Sequence, residues 1–175
     1  AAAINEEIRD LFTAGADVVQ LDGPYMQARP EVAKKYAVKS INRALDGIEG
    51  ETAVHICFGY AHVVHERPEG YSFLPELNDC SVDQISIESA QSSLNLQVLK
   101  TLPTKKIMLG VLDLSTDEIE TADTVAERIR KAFDHAAPER IIVAPDCGMK
   151  YMRRDVAFGK LKAMCDGAKI VREEL

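Results

Sequence analysis

The sequence predicts an α/β fold in which parallel strands alternate with helices. Short apolar runs with the length of buried strands alternate along the chain with longer segments whose apolar residues recur every three or four positions. No low-complexity segment and no linker rich in Pro or Gly interrupts the 175 residues, so we expect a single domain at 1–175. Strands separated by helices in this way are typical of a parallel sheet with helices packed outside it.

Helical spacing defines the helices, and signals at their ends support them. Apolar residues with helical spacing predict a first helix over 4–15, with Gly15 as its C-terminal cap. Pro30 suits the first turn of a second helix over 30–48. A later helix is expected to begin near Thr121, because acidic residues in its first turn complement the helix dipole. The remaining helical patterns lie at the end of 61–77, at 95–103 and at 153–175.

Five apolar runs between these helices are predicted to be strands, and they occupy 16–24, 52–59, 82–89, 105–114 and 138–148. Two architectures fit this order: an open doubly wound sheet and part of a (β/α)8 barrel. Neither G-x-G-x-x-G nor a P-loop motif occurs in the sequence, which disfavours a nucleotide-binding function.

Charge and cysteine content narrow the class of protein. The formal net charge of −7 argues against a surface for nucleic acid or for an anionic membrane, since both require a basic patch. No apolar run has the length of a membrane span, and no secretory signal is recognisable. The four cysteines are widely and irregularly spaced, as in proteins of a reducing compartment. We therefore expect a cytoplasmic protein with no nucleic-acid and no membrane partner.

Polar side chains occur where each predicted strand ends, although a buried apolar run should not contain them. In α/β folds, ligands bind at the carboxyl ends of the strands. A histidine, two cysteines and a glutamate converging there suit Zn²⁺, whose sites combine S, N and O ligands. The residues concerned are Asp22, His55, Cys57, Glu88, Asp113, Asp146 and Cys147.

Plainer explanations exist for several of these residues. His55 and Cys57 can both be core residues, because free cysteine packs as a small hydrophobe. Glu88 can pair with a lysine. Cys80 precedes a strand and Cys165 lies on a helix, so we expect both to be structural. The other histidines, His62, His65 and His135, are expected to be solvated.

Five segments taken together resemble a known family. In chain order, VQLDGP, HICFG, ISIES, GVLDLST and VAPDCGMK are similar to the C-terminal catalytic barrel of the cobalamin-independent methionine synthase family and its short single-barrel relatives, within the superfamily that contains uroporphyrinogen decarboxylase. The resemblance covers nearly the whole chain. It implies the C-terminal five βα units of a (β/α)8 TIM-type barrel with parallel strands.

Carried over by motif, the resemblance implies a zinc site and a substrate contact. The zinc ligands would be His55, Cys57, Glu88 and Cys147, and Asp22 would bind the amino group of the thiol substrate. The chain would then be a methyltransferase that activates a small thiol, homocysteine, for attack on a methyl donor and so forms methionine. The nucleophile is the substrate thiol, and Asp113 is the one protein group left as a catalytic candidate.

Two alternatives stay open. One is a zinc-dependent thiol–epoxide transferase of the coenzyme M type, and the other is a non-catalytic fragment stabilised by zinc. The chain also departs from the family pattern, because Gly23 stands where the family has Glu and Ser115 stands where its folate enzymes have a proton-donating His. Five strands are fewer than eight, so we expect the C-terminal part of a longer chain that associates with the rest of the barrel or forms a homo-oligomer.

Overall fold

The computed structural model describes residues 1–24, 26–58, 70–92 and 94–175, and it contains one sheet of five parallel strands. Each strand pairs with the next strand along the chain, in the order β1-β2-β3-β4-β5. This order confirms the partial (β/α)8 barrel and excludes the doubly wound alternative, whose strand order reverses at a switch point. The strands are β1 (Val18–Asp22), β2 (Glu51–Ile56), β3 (Gln84–Ile87), β4 (Lys106–Gly110) and β5 (Ile141–Ala144).

The helices begin and end close to the predicted signals. The backbone of Gly15 has a φ of +100°, and its N–H donates to the carbonyl of Phe12, as expected after a helix C-terminus. The side chain of Thr121 accepts a hydrogen bond from the N–H of Thr124 and caps the third helix. The helices are α1 (Ala2–Thr13), α2 (Pro30–Ala44), α3 (Ala122–Phe133) and α4 (Arg154–Arg172).

The two short helices predicted before β3 and β4 are 3₁₀ turns. They span Pro75–Asp79 and Leu96–Thr101, and a third such turn, Pro138–Arg140, precedes β5. Segments this short cannot offset the cost of nucleating an α-helix, whereas the tighter 3₁₀ turn suits short connections.

The two faces of the sheet differ in character because successive side chains point to opposite sides. On β3, Ile85 and Ile87 are fully buried in the hydrophobic core. Equivalent positions on β2 and β4, including Val54 and Leu109, are also fully buried. The opposite face carries Gln84 and Ser86, which alternate with the isoleucines. One face of the sheet therefore supplies the core, and the other supplies the polar groups of a site.

Among the described residues, β1 and β5 are the outermost strands of the sheet. An apolar groove of about 760 Å³ runs beside β5 and is lined by residues of that strand and of α4, including Ile142, Met164 and Val171. No helix in the described ranges has the length and apolarity that crossing a bilayer requires.

Candidate metal centre

Strand register brings the polar strand ends side by side. Asp22 at the end of β1 is paired in register with His55 on β2, and His55 is paired in turn with Ser86 on β3. Cys57, Glu88 and Cys147 follow β2, β3 and β5 by one to three residues. All of these residues are therefore at the carboxyl edge of the sheet, the edge at which parallel α/β folds bind ligands.

Three of the predicted ligands meet at one point. The nearest ligand atoms of His55, Cys57 and Cys147 all lie within 4.8 Å of one another. His55 and Cys57 are buried, and Cys147 is half-buried. One nitrogen and two sulfur donors brought together from two strand ends form a donor set that zinc prefers.

The ring of His55 is oriented with one nitrogen available. Its Nδ1 lies 2.8 Å from the hydroxyl oxygen of Ser86. Its Nε2 is buried and has no hydrogen-bond partner among the described residues. Metal-binding histidines use one ring nitrogen for the metal and the other for a hydrogen bond that fixes the ring. The contacts of His55 fit that arrangement.

Charge at the site favours a cation. Burial lowers the pKa of His55. Interaction with the Cys57 side chain and the negative charges of Asp22 and Glu88 raise this pKa by more than burial lowers it, so the pKa lies above its ordinary value. The pKa of Cys147 is raised by its contact with Cys57 and by burial. Two adjacent thiols cannot both ionise at low cost without a neighbouring positive charge, which a bound metal would supply.

Glu88 is close to this group, but in the described part of the chain it is not one of the three residues whose ligand atoms lie within 4.8 Å of one another. Its side chain is fully buried, and its carboxylate accepts a hydrogen bond of 3.0 Å from the N–H of Phe58. Its own N–H donates to the hydroxyl of Tyr71, which in turn donates to the carbonyl of Ile56. Glu88 is thus held between the ends of β2 and β3.

Asp22 lies on the wall of a cavity of about 350 Å³ that also contains His55, Cys57 and Cys147. It is exposed, and its carboxylate accepts a hydrogen bond from the amide of Gln20 at 3.0 Å. The neighbouring Gly23 is covered by Met26, since a Cβ at Gly23 would lie 1.9 Å from the terminal methyl carbon of Met26. The side chain of Met26 therefore occupies the space next to Asp22 where the family pattern has a glutamate.

Asp113 lies in the loop after β4 rather than in the strand, which ends at Gly110. The predicted strand over 105–114 was too long at this end, because the apolar run continues into the loop as buried Val111 and Leu112. One carboxylate oxygen of Asp113 accepts hydrogen bonds from both the N–H and the hydroxyl of Ser115, at 2.8 and 2.6 Å. Asp113 and Ser115 therefore form a local turn.

The remaining cysteines and histidines lie outside the trio. Cys80 is buried, and burial raises its pKa to about 11, so it stays a neutral thiol in the core. Cys165 is exposed on α4. The expectation that His135 is solvated is wrong in part, because it is half-buried and its Nδ1 is buried without a partner among the described residues. His62 and His65 lie outside the described residues.

Sequence reasoning missed Ser86 and Tyr71. Ser86 was detectable, because in QISIE every second residue is polar and Ser86 is therefore on the same face as Glu88. Tyr71 had no local signal, since it reaches the site from a segment 17 residues before Glu88 in sequence.

The fold and the site together define a parallel α/β barrel segment with a candidate metal centre of N and S ligands at the carboxyl ends of its strands. The chain belongs to the family described as "Cobalamin-independent synthase, Catalytic domain", whose family model matches residues 1–170.

Individual relatives agree with this assignment. The methionine synthase of Saccharolobus islandicus is 38% identical over 180 residues, covering 100% of this chain and 50% of the relative. That of Sulfurisphaera tokodaii is 35% identical and is covered over 49% of its length. The chain therefore spans about half the length of the curated relatives it matches.

Solved structures show the same fold. The B12-independent methionine synthase from Shewanella sp. W3-18-1, in complex with selenomethionine, superposes with a TM-score of 0.91 at 33% identity, covering 98% of this chain and 53% of that chain. A putative vitamin-B12 independent methionine synthase from Listeria monocytogenes has a TM-score of 0.69 at 19% identity and supports the fold alone.

Proposed function

We propose that this chain carries the metal centre of a zinc-dependent methyltransferase that transfers a methyl group to the thiol of homocysteine and forms methionine. The observation that carries the proposal is the convergence of His55, Cys57 and Cys147 within 4.8 Å in a cavity at the carboxyl edge of the sheet. Membership of the cobalamin-independent synthase family supports the reaction class. The selenomethionine bound by the Shewanella relative is the selenium analogue of the proposed product.

The residues present fit a zinc ion. His55 has a buried Nε2 without a partner among the described residues, and the two thiols beside it are suited to a soft or borderline metal. We propose Glu88 as the fourth ligand, since its negative charge already acts on His55 and Cys147. A bound zinc ion would lower the pKa of a coordinated thiol so that it exists as the nucleophilic thiolate at neutral pH.

We propose that Glu88 would be the exchangeable member of this ligand set. Its carboxylate accepts the N–H of Phe58 at 3.0 Å, so it would keep a hydrogen bond if it were not bound to a metal ion. His55 has no such alternative for its Nε2 among the described residues. Release from a metal ion would therefore leave the carboxylate of Glu88 with a hydrogen bond, whereas it would leave the Nε2 of His55 buried without one, which costs more free energy.

We propose that Asp22 binds the substrate's ammonium group. Its carboxylate is exposed on the same cavity wall as His55, two residues from Gln20, whose amide donates to it. An ion pair there would hold an amino acid with its side-chain sulfur directed towards the thiols. Pro24 and Met108 add apolar surface to the lining of the same cavity.

The experiment that tests the proposal combines metal content with methyl transfer in the full-length protein. Methionine formation from homocysteine is measured with several methyl donors, before and after zinc is removed by a chelator. We expect activity to disappear with the metal and to return when zinc is added. Cys57→Ala and Cys147→Ala should each lose both zinc and activity, because each removes one of the thiolates.

Two cysteines outside the site supply matched controls. Cys80 is buried to the same degree as Cys57, and Cys165 is exposed on α4. Cys80→Ala and Cys165→Ala should retain zinc. A protein that binds no zinc would contradict the metal centre. A protein that binds zinc but converts an epoxide and a thiol, with no methyl transfer to homocysteine, would favour the thiol–epoxide alternative.

The cellular setting of the proposed enzyme follows from its chemistry. The site requires two cysteines in the thiolate form, and thiols persist in reducing compartments. We therefore propose a cytoplasmic enzyme whose partners are a small thiol and a methyl donor.

A further inference from the structure

Asp146 lies beside the candidate metal centre without belonging to the trio that forms it. It is the residue before Cys147, and its side chain is fully buried. Its carboxylate accepts three consecutive backbone N–H groups: those of Ser89 and Ala90 on Oδ1 at 3.2 and 3.1 Å, and that of Gln91 on Oδ2 at 2.7 Å. These three residues directly follow Glu88. A single side chain therefore joins the end of β5 to the loop that carries Glu88.

The same region leaves little room for movement of Asp146. A Cβ on Gly110 would lie 2.2 Å from Oδ1 of Asp146 and 2.7 Å from its Cα, so β4 packs directly against this residue. The hydroxyl of Ser89 donates to the carbonyl of Gly110 at 2.6 Å. The ends of β3, β4 and β5 are thus joined through Asp146 and Ser89.

Glu88 is consequently held from two sides. Towards β2 it contacts Phe58 and Tyr71, and towards β5 its following backbone is held by Asp146. Cys147 is attached to Asp146 by one peptide bond. The distance between the carboxylate of Glu88 and the thiol of Cys147 therefore depends on the hydrogen bonds that Asp146 accepts.

We propose that Asp146 is a positioning residue that sets the place of Glu88 relative to Cys147 in the metal centre. The inference rests on the proposed function, because it concerns the ligands of the proposed zinc ion. A carboxylate suits this role because it only accepts hydrogen bonds and can serve three N–H donors on its two oxygens. The side chain of asparagine has the same shape but carries an NH₂ group in place of one oxygen. At least one of the three backbone N–H groups would then face a donor and lose its hydrogen bond.

The test is Asp146→Asn in the full-length protein, with Asp83→Asn as the matched control. Asp83 also joins two strands, because its carboxylate accepts the N–H and the hydroxyl of Thr52 at 2.8 and 2.9 Å, but it does so at the amino edge of the sheet. Zinc affinity is measured by competition with a chelator. The absorption bands of the cobalt-substituted protein report the coordination geometry, and thermal unfolding of the metal-free protein reports stability.

We expect Asp146→Asn to weaken zinc binding by about 10- to 100-fold, the range found when residues that orient metal ligands are changed. Its cobalt bands should shift. Asp83→Asn should lower thermal stability and leave both zinc affinity and the cobalt bands unchanged. Asp146→Glu keeps the charge but displaces the carboxylate from the three N–H groups, so it should also weaken zinc binding, and it decides the matter if Asp146→Asn does not fold.

Three results would overturn the inference. Wild-type affinity and unchanged cobalt bands in Asp146→Asn, or in Asp146→Glu where the first variant does not fold, would show that Glu88 and Cys147 are positioned without Asp146. Equal loss of affinity in Asp146→Asn and Asp83→Asn would show a general effect of destabilisation. A wild-type protein that binds no metal would overturn the proposed function and this inference with it, whereas the first two results leave the proposed function intact.

Discussion

At the scale of single residues, the hydrogen bond between His55 and Ser86 shows how a plain residue can control a metal ligand. Ser86 lies on the strand next to His55, in register with it, and its hydroxyl is 2.8 Å from Nδ1. Because this contact occupies Nδ1, it leaves Nε2 for the metal and restricts rotation of the ring.

We therefore expect Ser86→Ala to weaken zinc binding by about 10-fold while the protein stays folded. Chelator competition on the full-length protein measures this change. Ser81→Ala is the control, since the hydroxyl of Ser81 bonds to Asn42 at an exposed position away from the site. Unchanged zinc affinity in Ser86→Ala would show that His55 is oriented by packing alone.

Ser115 bears on the identity of the methyl donor. The nitrogen of methylfolate is a poor leaving group unless a positioned acid protonates it, and a serine hydroxyl is too weak an acid for this task. In the structure the hydroxyl of Ser115 already donates to Asp113, so its proton is engaged in that hydrogen bond. We predict that the donor is one that leaves without protonation, such as a methylated corrinoid.

Supplying the full-length protein with homocysteine and either methylfolate or methylcobalamin tests this prediction. We expect turnover with methylcobalamin and little with methylfolate. Ser115→His should gain activity with methylfolate, because the imidazole can protonate the departing nitrogen. Efficient turnover of methylfolate by the wild-type protein would contradict the prediction.

The residues of the site were only partly predictable from the sequence. Period-two alternation indicates which residues of a strand share a face, and it places His55 with Cys57 and Ser86 with Glu88. Alternation carries no information on how far side chains reach across neighbouring strands. Two features of the site depend on loop conformations, which have no periodic pattern in the sequence. One is the distance of Glu88 from the other three residues, and the other is the set of three hydrogen bonds that Asp146 accepts from backbone N–H groups.

At the scale of elements, α4 fixes the loop after β4 through a buried lysine. Lys160 is fully buried, and its ammonium group donates to the carbonyl of Asp113 at 2.8 Å and to the carboxylate of Glu120 at 2.9 Å. Glu120 also accepts the N–H of Asp113 and a hydrogen bond from Arg128. Helical spacing alone cannot distinguish such a lysine from the solvated lysines on the same helix.

Lys160→Met should destabilise the full-length protein by about 3 kcal/mol, because it leaves the buried carboxylate of Glu120 without its closest cation. Urea-induced unfolding measures the change. Lys162→Met on the same helix is the control and should have little effect, since Lys162 pairs with Asp166 in solvent. Equal stability of the two variants would contradict a structural role for Lys160.

The pH dependence of this difference follows from Glu120. Burial raises the pKa of its carboxyl, but hydrogen bonds from Lys160 and from the N–H of Asp113 outweigh burial and hold the pKa below its ordinary value of 4.5. A lowered pKa in the folded state stabilises the protein above the ordinary value, and this contribution is lost as the pH falls through the lowered pKa. The stability gap between wild type and Lys160→Met should therefore narrow below pH 4.5.

At the scale of the whole molecule, the alternation of strands and helices was predictable because it depends on periodicity, whereas the choice of a barrel over an open sheet came from the family resemblance. Helical and strand periods, helix caps and a sequential order of elements were enough to predict five parallel strands, and the structure confirms them. The lengths of the strands were less predictable, as the early end of β4 at Gly110 shows. Apolar residues that follow a strand into a buried loop look the same in sequence as residues of the strand itself.

We propose that the outer edges of β1 and β5 are covered by further strands in the working protein. Within the described part of the chain both edges present unpaired backbone groups, and the curated relatives are about twice as long as this chain. The apolar groove beside β5, lined in part by Ile142 and Met164, is of the kind that a neighbouring βα unit would fill. Five strands cannot close an eight-stranded barrel.

The chain 1–175 on its own should therefore aggregate through its edges, and a charge placed on an edge should reduce this aggregation. Val18 begins β1 and is exposed, so Val18→Lys introduces a charge at that edge without removing a core side chain. In the isolated chain, Val18→Lys should lower light scattering on heating.

In a longer form that covers the edge, the same change should leave scattering unaltered and lower the melting temperature, because the lysine is then buried against the added strand. An isolated chain that stays monomeric and unfolds in one sharp transition, with no response to Val18→Lys, would show that these edges need no cover.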